Sequence, residues 1–349
     1  MKLTVLNVAY PLAPVGPDAV GGAEQVLTAI DEALGKSGHR SIVIAGRDSV
    51  VSGELISLPD FTGVYDADAM RRARRHCGIA IQEALSRWSI DLVHLHGVDF
   101  HAYLPPPGVP VLATLHLPVS WYPSEIFRYE RPSTFLHCVS ETQNRDCPPC
   151  GYLLPPIRNG VEIPFAKRPM EGDYALAIGR ICPEKGFHLA IEACTLAGIP
   201  LKLAGKVFPY EAHEKYFRDE VLPRLGNRHV YAGPVGREAK FGLYANARCL
   251  IVASTAPETS SLVALEALAC GTPVIAFRNG ALPEIITEGK TGFLVDTVEE
   301  MARAIARASE IDPEKCRQAV RTRFSIASMT ERYLELYRSC CAASRRLAQ

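Results

Sequence analysis

Short apolar runs alternate with amphipathic segments along the chain, and this pattern passes through the sequence twice. In the first half, the apolar runs that indicate buried strands are LTVLNVA, RSIVIAG, DLVHLHG, VPVLATLH and TFLHCVS. In the second half they are YALAIGR, LKLAG, HVYAG, CLIVAS, PVIAF and GFLVD. Helical segments lie between many of them, including residues 23–37 and about 67–88. Strands that alternate with helices of this length are typical of parallel sheets covered on both faces.

The predicted fold class is therefore α/β, with two doubly wound, Rossmann-like parallel-sheet domains. They are expected to face a ligand cleft at the carboxyl ends of their strands. A polar stretch with two prolines at about 162–172 indicates a linker. We predict a first domain at 1–165, a second at 166–325, and a C-terminal helix at 326–349 that is able to cross back to the first domain. The length of 349 residues exceeds what one hydrophobic core usually serves.

The charge balance of the chain argues against nucleic acid and acidic membranes as partners. Lys plus Arg and Asp plus Glu both number 38, so the formal net charge is zero and no global field attracts nucleic acid or an acidic membrane. No apolar run approaches the ~18 residues of a membrane span. The first residues, MKLTVLNVAY, carry Asn7 within a short apolar run and lack a small-residue cleavage site, which favours a buried strand over a signal peptide. We expect a soluble, cytoplasmic protein.

The chain has 11 cysteines, an odd number. Most lie within apolar runs, as small reduced core residues do. The CPPC stretch, with Cys147 and Cys150, has spacing suited to a metal or to redox chemistry. A zinc site, a disulfide and a loop with incidental thiols all remain open there.

The turn that follows YALAIGR presents two cations. Arg180 and Lys185 lie on one turn, next to a predicted helix amino terminus. Two cations and a positive dipole end favour an anion such as a diphosphate. The alternative is a pair of solvated cations that cap a turn. We expect both side chains to be largely exposed.

A glycine pair, Gly21 and Gly22, precedes the first predicted helix. Glycines at this place let a ligand approach the backbone closely. The stretch is not a G-x-G-x-x-G fingerprint, and the second strand does not end in an acidic residue, so dinucleotide binding has little support. We predict no cofactor.

The stretch APETSSLVALEALACGTP, residues 256–273, supplies a third turn. Residues 259–261 are predicted to cap the helix that follows with their side chains. The backbone N–H groups of Ser261, Leu262 and Val263 would then lie at the helix start, where they suit a phosphate.

Two glutamates belong to the same stretch. Glu266 is about five residues into the helix, roughly 7 to 8 Å along its axis at 1.5 Å per residue. This is the right scale for a nucleotide ribose, whose diol would compensate the partial burial of the carboxylate. Glu258 precedes the helix.

Together these motifs resemble the family-4 retaining glycosyltransferases of the GT-B fold. Glu258 and Glu266, with seven residues between them, are similar to the family's E-x7-E motif. GRICPEKG is similar to its G-R-x-x-x-x-K-G phosphate turn, and GGAE to its first glycine loop. RNGVE at 158–162 and GALPEIITEGKTGFLV at 280–295 also match, so the resemblance covers nearly the full chain.

The resemblance implies roles for single residues of the second domain. Arg180 and Lys185 would neutralise the donor diphosphate as it leaves. Glu266 would hold the ribose, and Glu258 would lie against the hydroxyls of the transferred sugar. Val235, in AGPV, falls where the family holds the base through backbone contacts.

In the first domain, Gly22 would face the phosphates, and His116 matches a family histidine near the sugar and the acceptor. Two departures concern the sugar and acceptor geometry. This chain has Ser260 and Ser261 where the family commonly has Phe-Gly, and Leu117 where an acidic residue often follows the histidine.

Other candidates have plainer interpretations. The DAD triplet at 66–68 is interpreted as a helix cap rather than a metal site, and no metal is predicted. His94 and His96 are interpreted as facing opposite sides of a strand, with His94 a satisfied core histidine. Four arginines cluster in the second predicted helix: Arg71, Arg72, Arg74 and Arg75. We interpret them as a solvated helix face, in preference to a patch that docks to an anionic acceptor or a lipid surface.

The resemblance implies a metal-independent retaining glycosyltransferase, with a nucleoside-diphosphate sugar as co-substrate and an acceptor hydroxyl. A UDP-hexose is the favoured donor, and GDP-mannose is the alternative. A nucleotide-sugar epimerase on the same scaffold and a non-catalytic nucleotide-sugar-binding protein stay open as other functions. An NAD oxidoreductase is a third, weakened by the missing fingerprint.

Overall fold

The computed structural model of the protein describes residues 2–61, 63, 65–164 and 172–347. Its contacts divide the chain into two compact units: Met1–Arg158 together with Ala327–Gln349, and Asn159–Ile326. We predicted that the first domain ends at residue 165, whereas the contacts divide the chain after Arg158. Residues 165–171 of the predicted linker lie outside the described residues.

The first unit contains a seven-stranded sheet in the order β3-β2-β1-β4-β5-β6-β7, with every pair parallel. The strands are β1 (Thr4–Val8), β2 (Arg40–Gly46), β3 (Glu54–Leu58), β4 (Leu92–Leu95), β5 (Val111–Leu115), β6 (Thr134–Cys138) and β7 (Leu153–Leu154). Its helices are α1 (Gly22–Lys36), α2 (Ala67–Arg87), α3 (Glu141–Asp146) and, from the far end of the chain, α11 (Ile326–Leu347).

The second unit contains a six-stranded parallel sheet in the order β10-β9-β8-β11-β12-β13. The strands are β8 (Tyr174–Ile178), β9 (Leu201–Ala204), β10 (His229–Tyr231), β11 (Ala247–Val252), β12 (Val274–Phe277) and β13 (Gly292–Val295). The helices are α4 (Phe187–Ala197), α5 (Glu211–Tyr216), α6 (Arg237–Asn246), α7 (Leu262–Ala269), α8 (Leu282–Ile285), α9 (Val298–Ala306) and α10 (Pro313–Arg323).

Both sheets are doubly wound, which confirms the predicted fold class. The strand order reverses between β1 and β4 in the first unit, and between β8 and β11 in the second. The loops that leave two such strands run to opposite sides of the sheet and open a crevice at their carboxyl ends. The predicted phosphate turn follows β8, and the predicted helix with Glu266 follows β11.

Hydrophobic burial explains why most strands could be predicted. All five residues of β5 and all five of β8 are buried, as expected for central parallel strands. The strands that the pattern missed, β3 and β7, lie at the sheet edges and are mostly half-buried. No helix among the described residues is both long enough and apolar enough to cross a membrane.

Candidate functional site

The turn after β8 lies against the end of β11, and a glycine makes this approach possible. A short 3₁₀ helix, Pro183–Lys185, follows β8 and ends at Gly186, which has a left-handed φ of 61°. A Cβ at Gly186 would collide with the carbonyl oxygen of Ala253. The backbone N–H of Thr255 donates to the carbonyl oxygen of Glu184 at 2.9 Å. The two turns predicted to carry the donor site therefore meet.

Lys185 and Glu258 form an ion pair where these turns meet. The distance from Lys185 Nζ to Glu258 Oε1 is 2.6 Å, and the side chains are 30% and 8% exposed. The hydroxyl of Ser254 donates to the same carboxylate oxygen. The expectation that Lys185 is largely exposed was wrong, because the side chain reaches back to a buried carboxylate.

Arg180 lies on the same turn and is half-buried, so the expectation that it is largely exposed was wrong as well. Within the described residues, no carboxylate forms a salt bridge with Arg180. Burial lowers the pKa of the His213 imidazole, and the nearby charge of Arg180 lowers it further. Arg180 is thus a cation on the turn whose charge is not neutralised by an ion pair in this part of the chain.

Helix α7 begins at Leu262 with Ser261 as its N-cap residue. The predicted side-chain cap was wrong for Ser261: its side chain makes no capping hydrogen bond, and no described residue bonds to its buried Oγ. The first turn of a helix leaves its N–H groups without partners inside the helix. Leu262 and Val263 stand in that turn, where the sequence predicted a phosphate.

Glu266 is buried in α7, and helix α6 supplies its partners. Lys240 Nζ lies 2.5 Å from Glu266 Oε1, and the hydroxyl of Tyr244 donates to Oε2 at 2.8 Å. Burial and the adjacent carboxylate raise the pKa of Tyr244 well above its usual value. Two protein groups therefore compensate a carboxylate for which the sequence suggested a ribose alone.

Lys240 and Tyr244 were missed from the sequence. They are four residues apart and so lie on one side of α6. That spacing is common on solvated helices, and nothing in the sequence indicates that α6 packs beside α7. Val235 is half-buried and lies just before α6, whose N-cap residue is Gly236.

In the first unit, α1 begins at Gly22 with Gly21 as its N-cap residue, so both glycines stand at the helix start as predicted. A Cβ at Gly21 would meet the carboxylate of Glu24, so that side chain would have to move. Glu24 is buried and folds back over the helix start. The backbone at Gly21 is extended, so the glycine is favoured here by the position of the Glu24 side chain and not by its own φ.

His116 follows β5 and belongs to a cluster of four buried histidines. His116 Nε2 lies 3.1 Å from His96 Nδ1. The rings of His94 and His96 are 3.9 Å apart, so the interpretation that they face opposite sides was wrong. Side chains two residues apart in an extended chain share a face. Burial lowers the pKa of His116 to about 3.

His94 is a satisfied core histidine, as predicted. Its Nε2 and the Nε2 of His137 each lie 2.7 Å from Thr114 Oγ1, and its Nδ1 lies 2.7 Å from the hydroxyl of Tyr337. His137 Nδ1 lies 3.0 Å from the carbonyl oxygen of Cys138, which fixes the proton on Nδ1. The Thr114 hydroxyl therefore donates to His137 Nε2, and it accepts a hydrogen bond from His94 Nε2.

The DAD triplet is a helix cap, as predicted. Asp66 accepts from the backbone N–H of Ala69 at 2.8 Å at the start of α2. In the arginine cluster that follows, Arg74 is half-buried and its Nε lies 2.9 Å from Asp99 Oδ2. The exposed members of the cluster are Arg71, Arg72 and Arg75.

In the part of the chain that the structure describes, neither CPPC thiol takes part in a disulfide. Cys147 is buried, and its Sγ lies 3.4 Å from the Sγ of Cys138. Among the described residues, no group of three or more metal-ligating side chains includes Cys147 or Cys150.

Comparison with known families gives two matches along the chain. Residues 20–151 match the family described as Glycosyltransferase Family 4, and residues 162–323 match Glycosyl transferases group 1. Together the two matched segments contain His116, Arg180, Lys185, Glu258 and Glu266.

Curated relatives align over part of their length. A D-inositol 3-phosphate glycosyltransferase from Acidothermus cellulolyticus is 30% identical over 197 residues, which is 52% of this chain and 44% of the relative. A lipopolysaccharide 1,2-N-acetylglucosaminetransferase from Salmonella typhimurium is 28% identical over 46% of each chain. The chain thus spans less than half the length of these two relatives.

Solved structures match over almost the whole chain. Sucrose-phosphate synthase from Thermosynechococcus elongatus superposes with a TM-score of 0.80 and 20% identity, over 97% of this chain and 100% of that one. The Anabaena protein HepE in complex with UDP-glucose gives a TM-score of 0.74 and 19% identity, with the same coverage. At these identities the likeness concerns the fold.

Proposed function

Since this chain belongs to the family-4 glycosyltransferases of the GT-B fold, we propose that it is a retaining enzyme that transfers a hexose from a nucleoside-diphosphate sugar to an acceptor hydroxyl. A UDP-hexose is the favoured donor, and structural neighbours in complex with UDP and with UDP-glucose support this choice. GDP-mannose is the alternative donor. The curated relatives named as glycosyltransferases support the transfer reaction.

The observation that carries the proposal is the ion pair between Lys185 and Glu258. It joins the turn after β8 to the turn after β11 at the place where the strand order reverses. Ligands of doubly wound sheets bind at such a place. A lysine ammonium has three N–H donors, so Lys185 can hold Glu258 and still donate to a diphosphate.

Catalysis would be electrostatic. As the bond between the sugar and the diphosphate breaks, negative charge grows on the leaving group and the sugar gains oxocarbenium character. Arg180, Lys185 and the N–H groups at the start of α7 would stabilise that negative charge, and such preorganised donors act without reorganisation during the reaction. These groups would supply the positive charge that a metal ion provides elsewhere, so we propose that turnover is metal-independent.

Glu266 would hold the nucleotide ribose. A carboxylate has about four lone-pair sites, so Lys240 and Tyr244 leave room for two hydrogen bonds from a diol. The two protein partners would also hold the carboxylate in one orientation. Glu258 would contact the sugar, and Val235 the base. Gly22 would contact the phosphates, and His116 the acceptor side.

Nucleotide binding tests the proposal first. Thermal unfolding is measured with UDP, GDP, ADP and NAD at equal concentrations, since a ligand at 100 times its Kd stabilises the native state by about 2.7 kcal/mol. We expect UDP to raise the melting temperature most, and GDP to do so if the donor is GDP-mannose. Stabilisation by NAD alone would contradict the proposal.

Turnover of the preferred sugar nucleotide then separates the remaining functions. A transferase releases the nucleoside diphosphate and forms a glycoside with the α configuration of its donor. An epimerase would interconvert sugar nucleotides without an acceptor, and a non-catalytic protein would bind the nucleotide without turnover. The Lys185→Ala variant is compared with the control Lys215→Ala, which removes an exposed lysine that pairs with Asp219. Only Lys185→Ala should lose activity.

A further inference from the structure

Three side chains with different ligand atoms meet beside the turn after β8. The ligand atoms of Cys182, Glu184 and His213 all lie within 4.8 Å of one another. In the part of the chain that the structure describes, this is the one such group of three or more His, Cys, Asp or Glu residues. The fold and the proposed transfer reaction leave this group without a role.

The backbone fixes the places of these residues. Cys182 is the N-cap residue of the 3₁₀ helix at Pro183–Lys185, and its carbonyl oxygen accepts from the N–H of Lys185 at 3.1 Å. His213 lies in the first turn of α5, where its N–H donates to the carbonyl oxygen of Tyr210 at 3.0 Å. The Tyr210 ring packs edge-on against the imidazole at 5.0 Å. Two elements thus bring the cluster together.

One polar atom of the cluster lacks a partner. Nδ1 of His213 is buried and has no hydrogen-bond partner among the residues that the structure describes. Buried ring nitrogens are usually hydrogen-bonded, and a bound ion is one way in which an exception is satisfied. The Cys182 side chain is also buried, 2% exposed, and its thiol makes a weak contact with the carbonyl oxygen of Arg180 at 3.5 Å.

We propose that Cys182, Glu184 and His213 bind Zn²⁺, with an open fourth position. Sulfur, nitrogen and carboxylate oxygen together suit zinc, which takes four ligands in a tetrahedron. The thiolate and the carboxylate would neutralise the ion, and the thiol proton would pass to solvent on binding. With zinc–ligand distances of roughly 2.0 to 2.3 Å, the three atoms need to converge by about 1 Å.

The site lies beside the proposed donor site but does not depend on it. Glu184 directly precedes Lys185, so zinc would tie the turn that carries Arg180 and Lys185 to helix α5. Metal binding can be measured without nucleotide. The two proposals therefore fail separately: lost zinc binding with intact UDP binding overturns only this one, and the reverse overturns only the other.

Cobalt provides the direct test. Protein freed of metal with a chelator is titrated with Co²⁺, and zinc affinity is measured by competition with a chromophoric chelator. We expect one equivalent to bind, with a thiolate-to-cobalt charge-transfer band in the near ultraviolet. Cys182→Ser should abolish the band, and His213→Gln should weaken zinc binding by at least about 10-fold. Cys150→Ser, at a half-buried thiol in the first unit, is the matched control and should change neither.

Two results would overturn the proposal. One is the absence of stoichiometric cobalt or zinc binding to the wild-type protein. The other is a charge-transfer band that persists in Cys182→Ser and disappears in Cys150→Ser or Cys147→Ser, which would place the metal at the CPPC thiols. His213 is half-buried, so its variant keeps the test informative should Cys182→Ser fail to fold.

Discussion

Lys240 and Glu266 form an ion pair in the second unit, with 2.5 Å between Lys240 Nζ and Glu266 Oε1. Their side chains are 14% and 6% exposed, so the pair is largely withdrawn from water. Tyr244 donates to the other carboxylate oxygen. A carboxylate inside an apolar helix is tolerated here because helix α6 supplies both a charge and a hydrogen bond. Glu266 thereby gains a structural role beside its proposed role as ribose ligand.

Glu266→Ala should show both roles. Loss of the carboxylate leaves Lys240 with an uncompensated, mostly buried charge, so the free energy of unfolding should fall by about 3 kcal/mol. The variant should also bind plain UDP more weakly, because a ribose contact is made with free nucleotide as well as with donor. Urea unfolding and calorimetry with UDP measure the two effects.

Glu258→Ala should bind plain UDP almost normally and lose turnover instead. Equal loss of UDP affinity in both variants would contradict this division.

A double variant separates stability from binding. Lys240→Met with Glu266→Leu replaces the ion pair by apolar side chains, a change that is often neutral or stabilising for buried pairs. We expect it to regain most of the stability lost in Glu266→Ala but not the UDP affinity. Recovery of full UDP affinity would show that Glu266 does not contact the nucleotide.

The two cations of the turn after β8 should matter for turnover. Replacing Arg180 or Lys185 by Ala should lower kcat/KM at least about 100-fold, the usual scale for one lost transition-state donor. Lys185→Ala should also lower stability, since Glu258 is 8% exposed and, of its partners in the described chain, would keep the hydroxyl of Ser254 alone. Arg180→Ala should leave stability near that of wild type, because no salt bridge of Arg180 is present among the described residues. Near-normal turnover in either variant would remove that residue from the mechanism.

Turnover should survive chelation. Arg180, Lys185 and the start of α7 are proposed to carry the positive charge at the diphosphate, so EDTA-treated enzyme should retain its activity. The assay compares initial rates before and after dialysis against EDTA, and after addition of Mg²⁺ or Mn²⁺. A complete loss that added Mg²⁺ or Mn²⁺ reverses would contradict metal independence. Rescue by Zn²⁺ alone would instead give the cluster at Cys182 a role in turnover.

How much the sequence could predict differs between local and tertiary features. The buried central strands and the glycine pair at the start of α1 follow from local chemistry, and they were predicted. The partners of Glu266 could not be predicted, because Lys240 precedes it by 26 residues and only the packing of α6 beside α7 brings them together. The side-chain cap predicted at Ser261 is missing, because capping propensity is a local preference that does not fix the side-chain conformation in the folded protein.

The buried histidines make a prediction about pH. Burial lowers the pKa of His116 to about 3 and of His137 to about 4, and it lowers those of His94 and His96 well below 6.5. These imidazoles are therefore neutral in the folded protein at pH 7. Unfolding exposes them, and between their folded pKa values and about 6.5 the unfolded chain binds more protons. Stability should be fully present above about pH 6.5 and should fall as the pH drops towards 4.

His137→Gln provides the measurement. Each neutral buried histidine contributes a slope of up to about 1.4 kcal/mol per pH unit to the free energy of unfolding, so removal of one should lower the slope by that amount between about pH 4.5 and 6. Urea unfolding across this range gives the slopes of wild type and variant. The matched control is His76→Gln, whose Nδ1 bonds to the carbonyl oxygen of Arg72 in its own helix and lies outside the cluster. We expect that control to retain the part of the slope that the buried cluster contributes. An unchanged slope in His137→Gln would mean that this imidazole gains no proton on unfolding, and the neutral cluster would then be the wrong description of the folded state.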